Sequence, residues 1–209
     1  MTILYIETNF LMAIAKGQDS QAETLLSTPP HSVRILIPNI CYIEAISVFK
    51  IEKQAKLSFE KEMNSKIREA RRDLTSNHAQ SFCGHLEQAI IENQSLLNHI
   101  QSRLDNVIER EISKARSIYL DSDGLQDLCK SILTEPETLL IRNDIMDNLI
   151  LQCILNHANS HYGEEKAFIS SNSKDFGTTE VRESLDNTGI RYFTMAQHFL
   201  DWFNSRSST

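Results

Sequence analysis

Apolar positions along the chain keep two different rhythms, and the change between them outlines the fold. Residues 3–6 and 33–37 are apolar through most of their length, the pattern of parallel strands covered on both faces. Residues 167–170 and 191–193 add two further short strand candidates. Helical spacing fills the intervals. Residues 10–15 and 21–26 each predict a short helix. Pro38 and Asn39 mark a third start, with Asn39 as its cap, and Asn143 caps a helix running to about His161. A last helix holds residues 195–203, and the Ser-rich residues 205–209 read as a frayed tail. Strands alternating with helices predict βαβ units and a parallel sheet.

The middle of the chain leaves this rhythm. From about Ile40 to Tyr119 there is no proline, and Gly84 is the one glycine. Met63, Ile67, Ala70 and Leu74 recur at helical spacing, and Leu86, Ile90, Leu97, Ile100, Leu104, Ile108 and Ile112 continue it. The break between the two series falls near Thr75, Ser76 and Asn77. The expectation is a single domain over residues 1–209 with a helical hairpin inserted at about 50–120. A dimeric coiled coil, and with it a homodimer, is the competing arrangement, because apolar spacing alone does not separate the two.

Composition narrows the class. The 209 residues are 41% hydrophobic, enough to bury a core. There is no run of about eighteen apolar residues, so no membrane-spanning helix is expected. A strand beginning at residue 3 leaves no room for a leader ahead of it. Cys41, Cys83, Cys129 and Cys153 lie far apart without a CxxC pair and read as reduced thiols. Together these lead to the expectation of a cytoplasmic protein. The net charge of −7 argues against a general nucleic-acid coat protein. The charge is uneven, however: residues 50–116 carry twelve Lys/Arg against ten Asp/Glu. Lys61, Lys66, Arg68, Arg71 and Arg72 are the richest basic patch, a solvated helix face or a phosphate contact.

The chemistry lies in acids at strand ends. Glu7 closes the first strand, Glu44 sits about one turn into the helix after the second, Asp144 and Asp147 lie in the first turn of the helix from Asn143, and Asp175 follows the strand at 167–170. In a parallel sheet the loops leaving strand C-termini share one edge, where sites form. Oxygen-rich sites suit Mg²⁺ or Mn²⁺, and paired ions can promote in-line attack on phosphorus. Each acid also has a structural explanation: Glu7 as a helix cap, Asp144 and Asp147 as partners of a helix dipole, Asp175 as a turn residue.

Four strings in order, ILYIETNF, IPNICYIEAISVF, RNDIMDNLILQCI and FISSNSKDF, resemble the motifs of PIN-domain nucleases. In that family a strand ends in Asp-x-Asn or Asp-x-Ser, a Glu follows on the helix after the second strand, an Asp opens a later helix as Asp-Ala-Leu-Ile, and the last motif reads Thr-x-Asp or Thr-x-Asn-x-x-Asp-Phe. The resemblance covers about residues 3–50 and 140–203, not the hairpin. It implies a Rossmann-like three-layer α/β/α sandwich with a short parallel sheet, and cleavage of RNA, less often DNA, with Mg²⁺ or Mn²⁺. It further implies an inhibitory antitoxin as a partner, since many bacterial members are toxins restrained by one. Glu7 stands where the family has its first Asp, one methylene longer. Asn9 matches the residue that orients that carboxylate, Glu44 the helix Glu, and Asp147 the Asp of Asp-Ala-Leu-Ile, with Asp144 placed to assist or replace it. Ser170 matches the Thr, Asn172 the middle polar position and Asp175 the terminal Asp. The implied metal ligands are Glu7, Glu44, Asp147 and Asp175.

Two alternatives stay open: a non-catalytic scaffold or binding module in which Glu7 marks a lost site, and a DNA-directed nuclease of the same fold. Cys153, His157 and His161 share a helix face at metal-binding spacing, but a fourth zinc ligand is not evident. HExxH, Walker A, GxGxxG and GxSxG strings are absent.

Overall fold

The computed structural model describes residues 1–141 and 144–207. Five strands, β1 (Thr2–Ile6), β2 (Val33–Pro38), β3 (Ser117–Ile118), β4 (Glu165–Ile169) and β5 (Ile190–Phe193), form one parallel sheet in the order β3-β2-β1-β4-β5. Eight helices connect and cover it: α1 (Thr8–Lys16), α2 (Ser20–Ser27), α3 (Ile40–Ala70), α4 (Asn77–Ser113), α5 (Ser122–Thr134), α6 (Ile145–Asn159), α7 (Thr179–Asn187) and α8 (Ala196–Ser207). This is the expected α/β class with a Rossmann-type sandwich. Ile3, Leu4, Tyr5 and Ile6 are fully buried, each contributing about 1.5–3 kcal/mol of apolar burial. Chain order reverses direction across β1 and β4, which places a topological switch point, the usual crevice of such sheets, beyond their C-terminal ends.

The two apolar strands appear where continuous burial predicts them. The strand β3 is only two residues long, too short for a periodic signal. The helices α5 and α7 are not legible in the apolar pattern for a related reason. Leu128 is the buried residue of α5, and Val181 and Leu185 are those of α7, so each presents a very narrow core stripe. Their starts are fixed by polar caps, Asp121 accepting from Gly124 N–H and Thr178 accepting from Val181 N–H.

Two expected caps differ. Asn39 does not cap α3: its backbone is already helical and its side chain makes no capping bond. Its N–H donates instead to the Ile118 carbonyl at 2.9 Å, tying the helix start to β3. Asn143 lies outside the described residues. The observed cap of α6 is Asp144, which accepts from Met146 N–H at 2.8 Å and Asp147 N–H at 3.0 Å, so Asp144 precedes the first turn in which it was expected. At the other end, α8 continues to Ser207, past residue 205 where composition predicts fraying.

The helices α3 and α4 pair antiparallel within one chain. Lys53 reaches Gln101, Lys56 reaches Asn93, and Arg71 reaches Glu87 across the tip. Buried Glu60 sits in the seam, accepting from Asn93 Nδ2 at 2.9 Å and Gln94 Nε2 at 3.2 Å. The root of the hairpin is not an appendage: Leu97, Ile100, Leu104, Val107 and Ile108 of α4 join the same core as the sheet. The projecting part is therefore shorter than residues 50–120. Gly17 ends α1 with φ 68°, a left-handed cap that glycine adopts without a Cβ penalty. At the foot of α4, Glu111 is fully buried between Arg110 Nε (2.9 Å), Arg116 Nη1 (2.8 Å) and Lys114 Nζ (3.5 Å). Arg116 also donates to the Leu26 carbonyl, which fastens α2 to the entry of β3. Among the described residues no helix is long and apolar enough to cross a membrane.

Candidate active site

The switch point lies where the neighbouring strands β1 and β4 end. Strand register sets Ile6 beside Ile169, so Glu7 and Ser170 are the first residues past the two neighbouring strands. Glu7 turns the chain into α1 as its N-cap, accepting from Asn9 N–H at 2.6 Å through Oε2. The structural explanation for Glu7 therefore holds, yet it uses only half of the carboxyl group. Its Oε1 is buried without a hydrogen-bond partner among the described residues, and the residue is 1% exposed. The orienting contact from Asn9 comes from its backbone N–H, not from its amide.

Glu44 projects from the first turns of α3, half-buried, and accepts a hydrogen bond from the Thr8 hydroxyl. Asp147 is in the first turn of α6, 7% exposed, and accepts from Asn172 Nδ2 at 2.9 Å. Asn172 is itself held by its N–H on Ser170 Oγ at 3.0 Å, and buried Ser170 is braced by the Tyr192 hydroxyl on its carbonyl at 2.8 Å. Asp175 lies half-buried after the Ser170 turn, beside a cleft of about 500 Å³ lined by Leu140, Ile141, Lys174 and Thr178. Asp144 is exposed and spends one oxygen on the α6 cap.

The electrostatics show which of these acids share a space. Burial pushes Glu7 up to about 8; the charges of Asp147 and Glu44 raise it further, while Asn9 N–H and the Ser170 hydroxyl oppose. Burial likewise brings Asp147 to about 7, with added repulsion from Asp144, Glu44 and Asp175. Glu44 is raised by burial, with the Thr8 hydroxyl opposing and Asp144 adding. Three carboxyl groups are thus destabilised as anions by loss of water and by one another. None of them forms an ion pair with a described Lys or Arg. Carboxylate oxygens of this kind are the donors that hard divalent cations take, and the orphaned Glu7 Oε1 is a donor with nothing to bind. The donor set fits such an ion in chemistry. In geometry its members are not gathered: among the described residues no group of three or more His, Cys, Asp or Glu side chains is placed to hold a metal ion.

Two residues that serve this site escape the sequence reading. Thr8 is buried and holds Glu44, and its only signal is a hydroxyl directly after the strand-end acid. Asn148 is buried beside Asp147. Its Nδ2 donates to the Ile141 and Asp144 carbonyls and its Oδ1 accepts from Ile141 N–H, tying those two residues to α6. A cavity of about 570 Å³ lies elsewhere, between α5, α6 and α7, and none of these five acids lines it. His157 near the end of α6 stacks on His161, two residues past the helix. The Nδ1 of His157 meets the Tyr5 hydroxyl and that of His161 the His157 carbonyl.

Comparison with known proteins gives one result. A family model described as PIN domain matches residues 4–176, from β1 to the turn after β4. No curated protein and no solved structure gives a significant match.

Proposed function

We propose that this chain, which belongs to the PIN-domain family, a nuclease-type fold, is a ribonuclease that hydrolyses RNA phosphodiester bonds with Mg²⁺ or Mn²⁺. The observation that carries the reading is the set of buried and half-buried carboxyl groups at the switch point, mutually repelling and without a described cationic partner. Glu7, Glu44, Asp147 and Asp175 would hold the metal. When bound, a divalent cation supplies Lewis acidity toward a phosphate oxygen and lowers the pKa of water.

The chain's own residues do the positioning. Asn9 N–H fixes one oxygen of Glu7, and the other, Oε1, is buried with no hydrogen bond of ordinary geometry, the Ser170 hydroxyl lying nearby. Thr8 orients Glu44, and Asn172 orients Asp147. Asn148 ties Ile141 and Asp144 to α6 beside Asp147. The mechanism asks for no Ser-His or Cys-His nucleophile. RNA as substrate, a toxin role and an antitoxin partner rest on the family resemblance.

A second reading, a weakened binding module, is favoured by one observation: Glu7 replaces Asp and half of its carboxyl is committed to capping α1. The test is cleavage of single-stranded RNA by the purified chain with Mn²⁺, with EDTA stopping it and single-stranded DNA in a parallel arm. Asp147→Asn together with Asp175→Asn should abolish cleavage, and full activity in that variant refutes the assignment. Calorimetry with Mn²⁺ separates the module, which should show no tight ion at this rim.

A further inference from the structure

Over the outer part of the hairpin, short of Arg103, the positive charge lies on one of its two arms. Residues 50–72 of α3 and its end carry eight Lys/Arg against four Asp/Glu, whereas residues 77–102 of α4 carry no Lys or Arg and two Glu. The charged arm is the one whose first turns hold Glu44. Following α3 outward from Glu44 at steps of three or four residues traces a row on one helix face. It passes Ser47, Ile51, Gln54 and Ser58, then Lys61, Ser65, Arg68 and, just past the helix, Arg72, all exposed. This is the face turned away from α4, since Glu60 and Ile67, which meet α4, lie on the opposite side of the helix.

The row contains no acid after Glu44. Glu62 and Glu69 stand to one side of it, and Glu69 is taken by Lys66 at 3.6 Å. Arg71 is taken by Glu87. Lys61, Arg68 and Arg72 have no described ion-pair partner. At ~1.5 Å per residue, Lys61 to Arg68 spans about 10 Å, Arg68 to Arg72 about 6 Å, and Arg68 stands roughly 36 Å along the helix from Glu44.

We propose that the outer face of α3 is a track for the backbone of single-stranded nucleic acid, leading from the acidic crevice to the hairpin tip. The proposal rests on the nuclease reading for its starting point, because the track is continuous with the site that holds Glu44. A row one side chain wide suits one phosphate backbone, and Ser65, small and polar between Lys61 and Arg68, lets a strand lie close to the helix. The contacts are to phosphate and carry no base information, so affinity is salt-dependent and tolerant of sequence.

The test measures binding, not cleavage. A labelled oligouridine of roughly 16 nucleotides, the upper site size of one single-strand-binding fold, is titrated with the whole chain in EDTA by fluorescence anisotropy across a salt series. The variant Lys61→Ala/Arg68→Ala/Arg72→Ala is expected to bind roughly tenfold more weakly at low salt, and its log–log salt slope should fall by about 2 for three lost phosphate contacts. Lys66→Ala/Arg71→Ala, which removes the paired cations of the same arm, should leave both nearly unchanged. Equal weakening in the two variants reduces the effect to net charge and overturns the track, as does unchanged binding in the triple variant. Tighter binding of a duplex of the same length overturns the single-strand assignment. A chain that binds in this way yet does not cleave with Mn²⁺ keeps the track and loses the nuclease reading. A chain that cleaves with binding indifferent to the triple change does the reverse.

Discussion

Glu7→Gln separates the charge of this residue from its shape. The amide keeps an oxygen for the Asn9 N–H and fills the same buried space, while the ionisable group is gone. Burial holds Glu7 at about 8 against an ordinary 4.5, so the metal-free folded chain keeps a proton there that the unfolded chain releases. A folded pKa raised in this way gives stability that is fully present below pH 4.5 and is lost as pH rises toward 8. Across that window the wild type should lose about 1.4 kcal/mol per pH unit relative to the variant, and at most about 5 kcal/mol in all. That is comparable with the whole margin of a small domain. Repulsion from Asp147 and Glu44 is part of the sum and vanishes with the charge. Urea unfolding in EDTA at about pH 5, 6.5 and 8 reads the effect directly. The two proteins should lie close at the acid end and diverge by several kcal/mol at the alkaline end, with Gln the more stable. Mn²⁺ should flatten the wild-type curve and leave the variant's in place. Parallel pH curves would refute a buried carboxyl that is held protonated for want of a cationic partner.

Thr8→Val keeps the shape of the buried side chain but removes the donor to Glu44. Divalent-ion affinity should fall roughly 10–100-fold, as when an outer partner of a ligand is lost, and an unchanged Mn²⁺ isotherm rejects the positioning role. Glu111→Ala strips three cations of their buried partner and should cost about 3–5 kcal/mol in urea unfolding, whereas a loss under about 1 kcal/mol would show that Arg110, Lys114 and Arg116 do not depend on it. His157 is held down at about 4, first by burial and then by the neighbouring His161. Its contribution is present above pH 6.5 and lost as pH falls toward 4. The full shift is worth about 3 kcal/mol, which solvent reaching the half-buried ring reduces to about 1–2. An NMR titration of the ring reads the value, and a midpoint near 6.5 contradicts it.

Elements with strong, long-range apolar periodicity were legible in the residues, and so was their order. The strands β1 and β2 and the two hairpin helices carry many apolar positions, which mark the elements, though not whether the helices pair within one chain or between two. Where an element rests on few contacts, local pattern is silent: β3 is a two-residue ladder, and α5 buries Leu128 alone. Asn39 shows a local preference overridden by tertiary structure, because its N–H is claimed by Ile118 across the sheet. At the site, the strand-end rule located Glu7, Glu44 and Asp147 in a common electrostatic neighbourhood, with Asp175 felt by Asp147. Thr8 and Asn148 were hidden because their roles depend on which backbone and carboxyl atoms meet them in three dimensions. The partition of the hairpin was hidden too, since core and seam positions follow the same helical period.

The rooting of α4 in the core makes the hairpin an arm of adjustable length. Leu97, Ile100 and Leu104 anchor it to the body, while outward of the Lys56–Asn93 contact each arm is steadied by the other through Glu60, Ile67 and Cys83. Opening should therefore become easier toward the tip, and amide exchange should grade along the two helices in step. Matched turns can be removed from both arms, each shortening the reach by about 5.4 Å, without touching the sheet or its acids. The arm is in this sense a ruler, whose gauge is set by the matched length of its two helices and not by the body that carries it.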